Sequence, residues 1–145
     1  MGIGFEDFKG MSDAARRLPE RPTSPHLTVW RWHATMLSSI LNRATGVALY
    51  VGALIAGGWA IALARGPESY ADYMGVLAGP LGKLVLLGLT ASLFYHTANG
   101  VRHLVWDAGK AFDPKLSDLI TAAIFAFTVA ATAAVWVIAA MSGSL

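Results

Sequence analysis

The 145-residue chain contains no cysteine. That absence excludes a disulfide framework, thiolate-ligated zinc and any iron–sulfur cluster held by this chain alone. Charge is also scarce: 14% of residues are Asp, Glu, Lys or Arg against 55% hydrophobic, and mean hydropathy is +0.52. The balance is too apolar for an ordinary soluble domain and points to a small polytopic membrane protein. The net charge of +2 comes without a basic stripe interleaved with aromatics, so nucleic acid is not an expected partner. Glycine-rich phosphate-cradling motifs are missing too. The N-terminal stretch MGIGFEDFKGMSDAARRLPERPTSPHL lacks the apolar core of a signal peptide, and is expected to remain as a short extramembrane segment.

What the chain does have is three long apolar runs. Ala44 to Ala64 gives 21 residues without a charge, Leu84 to Val101 a second run between Lys83 and Arg102, and Leu119 to Met141 a third of 23. Each suffices for a hydrocarbon core of about 30 Å at about 1.5 Å per residue. The first helix is expected to start earlier, near Trp30 to Ala34, because Arg31 and Trp32 suit an interfacial anchor and nothing before Asn42 breaks a helix. Pro67, Pro80 and Pro114 fall in the connections, with Ser117 or Asp118 suited to the third N-cap. The expected fold is all-α: an integral membrane three-helix bundle with helices at about 31–64, 80–108 and 117–142. Residues 1–29 would form the N-terminal segment and 30–145 the membrane anchor. Of eleven Lys and Arg residues, six lie at or before Arg43, two in the first loop, three from Arg102 to Asp118 and none at the C-terminus. The positive-inside rule then puts the N-terminus and the second loop in the cytoplasm and the C-terminus across the membrane.

In that orientation Arg43 and the pair Arg102–His103 approach the same membrane face. His96, Asn99, Gly100 and His103 are spaced i, i+3, i+4 and i+7, forming one helical stripe from which Arg102 points away. His96 is about 9 Å deeper than Arg102, where an imidazole facing lipid would be unsatisfied. A lone intramembrane histidine is as readily a hydrogen-bonding partner of a neighbouring helix as a functional group, and Gly100 alone suits close packing of small residues. Together the four features fit haem ligation: His96 as axial ligand, Gly100 clearing space for a flat macrocycle, and His103 and Arg43 near anionic propionates. His103 is about 10.5 Å from His96 along the same helix and cannot take the opposite axial position, so the second ligand is expected from another subunit. A second stripe, Ser39, Asn42, Arg43 and Gly46, marks the first helix. Arg43 by itself suits snorkelling, but a hydroxyl at Ser39 on the same face adds a second donor for a ligand oxygen such as a quinone carbonyl.

RPTSPHLTVWRW (Arg21 to Trp32), SILNRATG (Ser39 to Gly46) and HTANGVRHLVWDAG (His96 to Gly109) resemble, in order and spacing, the signatures of the cytochrome b membrane-anchor subunits of succinate dehydrogenase. The resemblance implies a heterotetramer in the inner membrane of a bacterium: a FAD-containing flavoprotein oxidising succinate, an iron–sulfur subunit and two membrane anchors, this chain being the larger. It implies haem b with His96 as an axial ligand, and Ser39 and Arg43 in a ubiquinone site. One departure stands out, since the family's SxxHRxT has a histidine where this chain has Asn42, a position near the haem propionates. Trp30, Trp32 and Trp106 read as interfacial belt residues, Asp107 as a surface partner for Arg102 or Lys110, and His26 as part of a turn or of a contact with the iron–sulfur subunit. A haem-free structural anchor is the alternative. A channel or transporter subunit fits less well, because the polar residues gather at one face and depth and the apolar third helix adds no continuation across the bilayer.

Overall fold

The structure, a computed structural model, describes residues 31–143. Among them four helices follow in sequence: α1 over Ala34–Arg65, α2 over Pro67–Ala78, α3 over Pro80–Asp107 and α4 over Pro114–Met141. The fold is all-α, and α1, α3 and α4 are each long and apolar enough to span a membrane. The expected N-terminal segment, with His26 and Trp30, lies outside the described residues.

Helix α1 starts at Ala34, at the late end of the expected window, because His33 is extended at φ −130°, ψ 143° and serves as its N-cap residue. Two other features differ from the sequence expectation. The stretch after Pro67 is a 12-residue helix, not a plain connection. Helix α4 starts at Pro114, and its cap is Asp113, whose carboxylate accepts from the Leu116 amide at 2.9 Å. All three helix-starting prolines, Pro67, Pro80 and Pro114, begin their helices; a missing N–H costs nothing where the amide would be unpaired anyway. They are start signals that resemble breakers. Gly66 joins α1 to α2 in one residue with φ +110°, a conformation that only glycine adopts at little cost.

Helix α3 is central and packs against both α1 and α4, while α2 lies against α1 and α3. Near mid-membrane, α1 and α3 meet at Gly52, where an added Cβ would stand 2.9 Å from Leu89 Cδ2. On the other side Phe94 meets Phe127 edge-on at 5.9 Å, Tyr95 lies 5.4 Å from Phe125, and the Trp136 indole donates to Thr90 Oγ1 at 3.4 Å. The distribution of polarity is inverted relative to a soluble protein. Buried side chains include Ser38, Asn99, Arg102, Thr121, Thr128 and Thr132, whereas Val47, Tyr50, Leu54 and Ile138 are exposed. A helix bundle in lipid gains little from hiding leucine but much from pairing its polar groups internally.

Candidate functional site

His96 is half-buried on α3 and leans onto α1. Its Nδ1 lies 3.1 Å from the Asn42 carbonyl oxygen and 3.3 Å from Thr45 Oγ1. The Thr45 hydroxyl already donates to the Leu41 carbonyl at 2.8 Å and the Asn42 carbonyl at 3.1 Å, so it is an acceptor toward the ring. A carbonyl and a hydroxyl with its proton committed both accept, which assigns the imidazole proton to Nδ1 and leaves the lone pair on Nε2. Nε2 has no hydrogen-bond partner among the described residues. An imidazole fixed through one nitrogen and free at the other is the arrangement a metal-ligating histidine requires.

Two glycines shape the surroundings. Gly46 admits the ring: a Cβ there would lie 3.2 Å from His96 Cε1. At Gly100 a Cβ would meet nothing within 4 Å, so none of the described helices packs against it and its small size leaves an open face one turn from His96. The close-packing explanation for Gly100 therefore does not hold among the described residues. Among the described residues no three His, Asp or Glu side chains converge as a bare-metal site; the donor set is a single imidazole beside an open apolar face.

The other predicted residues gather around the same end of the bundle without forming one cluster. Arg43 and Ser39 are both exposed on α1, and Arg43 Nη2 donates to Ser39 Oγ at 3.4 Å. That pair shares a face, as the spacing requires. Asn42 contributes its backbone carbonyl to His96, while its side-chain amide makes no hydrogen bond among the described residues and its Oδ1 is buried. His103 is exposed, with its ring edge-on to Trp106 at 5.1 Å, and shares no hydrogen bond with Arg43.

The most buried polar side chains were not singled out by spacing. Ser38, not its neighbour Ser39, points inward: Tyr95 OH donates to Ser38 Oγ and to the Ser38 carbonyl, both at 2.9 Å, and Ser38 Oγ donates to Asn99 Oδ1 at 3.3 Å. Arg102 joins the three long helices, donating to Ser38 Oγ at 3.3 Å on α1 and Ser117 Oγ at 2.7 Å on α4, with its guanidinium 4.2 Å from the Trp106 ring centroid. Arg102 does point away from the His96 stripe, but into the bundle. It forms no ion pair with Asp107; among the described residues the one pair within 4.0 Å is His33 with Asp118 at 3.6 Å. Trp106, besides carrying Arg102, donates its indole N–H to the Ala111 carbonyl at 3.2 Å and ties down the α3–α4 turn. Helix α4 is more polar inside than its sequence suggests, yet Thr121 and Thr128 donate to their own helix, at Ser117 O and Ile124 O, both 2.8 Å.

Comparison with known proteins identifies the family. Residues 17–135 match the family described as succinate dehydrogenase/fumarate reductase transmembrane subunit. The chain is 44% identical over 92 residues to the mitochondrial succinate dehydrogenase cytochrome b560 subunit of Sus scrofa, covering 62% of this chain and 54% of that protein. It is 33% identical over 118 residues to the succinate dehydrogenase cytochrome b556 subunit of Rickettsia felis, covering 81% and 92%. With the cytochrome b556 subunit of Paracoccus denitrificans it shares 39% over 89 residues, 61% and 68% of the two chains. The match thus spans about half the length of the mitochondrial relative and nearly all of the Rickettsia one. The chain belongs to the succinate dehydrogenase/fumarate reductase transmembrane subunit family.

Proposed function

We propose that this chain is the larger membrane anchor of a succinate dehydrogenase, binding haem b through His96 and contributing Ser39 and Arg43 to a site where ubiquinone is reduced. The observation that carries the haem assignment is the fixed imidazole, Nδ1 on the Asn42 carbonyl at 3.1 Å and Nε2 without a partner, beside the open face at Gly100. A haem, when bound, supplies a one-electron redox centre within the bilayer. His96 would hold the iron, and the second membrane anchor would supply a further ligand. The unpartnered Asn42 amide and the exposed Arg43 and His103 side chains provide donors for propionates at the same end. Asn42 in place of a histidine makes that surround neutral at one position.

Ser39 and Arg43 orient a quinone oxygen by donating to it, the guanidinium also favouring the negative charge that develops there on reduction. Their mutual 3.4 Å contact presets both donors on one face of α1. Succinate chemistry belongs to the flavoprotein and electron delivery to the iron–sulfur subunit. The Lys and Arg distribution supports an N-terminus on the cytoplasmic side of a bacterial inner membrane and a periplasmic C-terminus.

Ser39→Ala and Arg43→Ala are each expected to lower ubiquinone reduction by about a hundred- to a thousandfold, the scale of losing a donor to a developing oxyanion. Succinate oxidation with a water-soluble dye acceptor should stay near the parent rate. Both activities measured on the assembled complex test the assignment, and a parallel fall in the two would make these residues structural.

A further inference from the structure

A second site lies at the opposite membrane boundary. Arg65 is 19 residues after Gly46, about 28 Å along α1, so the junction of α1 with α2 sits across the hydrocarbon core from His96. Here α2 folds back on α1 and encloses an open cleft of about 310 Å³. Tyr73 holds the cleft's shape: its hydroxyl donates to the Ile55 carbonyl at 2.7 Å, and Gly58 makes room, since a Cβ there would be 2.8 Å from the phenol oxygen. The walls include Ile61 and Ala62 of α1 and Val76 of α2, while Arg65, Ser69 and Asp72 stand at the same opening.

None of these three polar side chains has a hydrogen bond or an ion pair with any described residue. Arg65 and Asp72, opposite in charge and lining one cleft, are not within 4.0 Å of each other. A cation, a hydroxyl and a carboxylate lining one cleft together with apolar side chains complement a ligand with a phosphate, an ammonium and hydrocarbon. We propose that this cleft is a headgroup site for a zwitterionic phospholipid with a primary ammonium, a phosphatidylethanolamine. Arg65 and Ser69 take the phosphate, Asp72 takes the ammonium, and the acyl chains run along Ile61 and Val76. A quaternary ammonium has no N–H to give Asp72, and an anionic headgroup leaves Asp72 without a counter-charge. Glu68, the neighbouring acid, does not line the cleft.

The full chain, purified with its accompanying subunits and stripped of lipid in mild detergent, can be titrated with phosphatidylethanolamine, phosphatidylcholine or phosphatidylglycerol, with bound lipid counted by native mass spectrometry. Phosphatidylethanolamine should bind about tenfold tighter than the other two, the scale of one charge-assisted hydrogen bond. Asp72→Asn should abolish that preference, Arg65→Gln should weaken all three lipids, and Glu68→Gln should change none. Arg65 and Asp72 are exposed, so these substitutions do not disturb packing. Unchanged selectivity in Asp72→Asn would overturn the proposal. So would a photo-crosslink from Val76→p-benzoylphenylalanine that captures a polypeptide in native membranes where a lipid is expected.

Discussion

At the scale of residues, the decisive geometry is held by groups with little chemistry of their own. His96 can present Nε2 because a backbone carbonyl, Asn42 O, occupies Nδ1, and it can reach that carbonyl because residue 46 is glycine. A Cβ at 46 would stand 3.2 Å from Cε1, so a larger side chain there pushes the ring and strains the Nδ1 bond. Gly46→Val is therefore expected to lower haem affinity about tenfold, the lower end of what losing an outer-shell partner of a metal ligand costs, while leaving His96 in place. Haem retention during dilution of the purified complex measures this; retention equal to the parent's would show that the imidazole tolerates the shift. His96, Ser39 and Arg43 could be picked out in the sequence as candidates because each belongs to a polar stripe at helical spacing in or beside an apolar run. Ser38 and Arg102 were not, since adjacent residues on a helix point about 100° apart and spacing alone does not say which of Ser38 and Ser39, or of Arg102 and His103, turns inward. Neighbouring helices decide that, through Tyr95, Asn99 and Ser117.

At the scale of elements, three apolar spans were readable from charge-free length, which is a requirement of the bilayer itself. Helix α2 was not, because Pro67 and Pro80 mark both breaks and first turns, and only the fold shows that each opens a helix. The α2–α3 corner depends on Gly82: a Cβ there would be 2.6 Å from the Val76 carbonyl oxygen and would also press on the Leu77 carbonyl. Both are backbone atoms that no rotamer change can move. Gly82→Ala is expected to destabilise the corner by about 1–3 kcal/mol, whereas Gly88→Ala, on the same helix with nothing within 4 Å, should be neutral or slightly stabilising. Thermal unfolding of the two variants in detergent provides the comparison. Equal midpoints would mean that α2 shifts freely against α3.

At the scale of the whole molecule, a polar interior wrapped in exposed Val, Leu and Ile is a structure built for lipid, clasped at one end by Arg102 across α1, α3 and α4. That clasp holds α1, which carries Ser39 and Arg43, against α3, which carries His96, so both proposed sites depend on one rigid end of the bundle. The opposite end is wedged by Tyr73 under α2 and carries the cleft with Arg65 and Asp72. What binds at the His96 end was legible only as far as single residues allow, because the proposed sharing of a haem between subunits would leave one imidazole in each sequence and no local motif for the pair. The central claim is that His96 holds a haem, and the most direct test is the reduced-minus-oxidised absorption difference of the purified complex, normalised to subunit content, for the parent and for His96→Ala. A b-type spectrum in the parent that is lost or reduced severalfold in His96→Ala, with His103→Ala retaining its haem, is the predicted result. A parent without b-type bands, or a His96→Ala complex with full haem content, would contradict it and leave the chain a haem-free anchor.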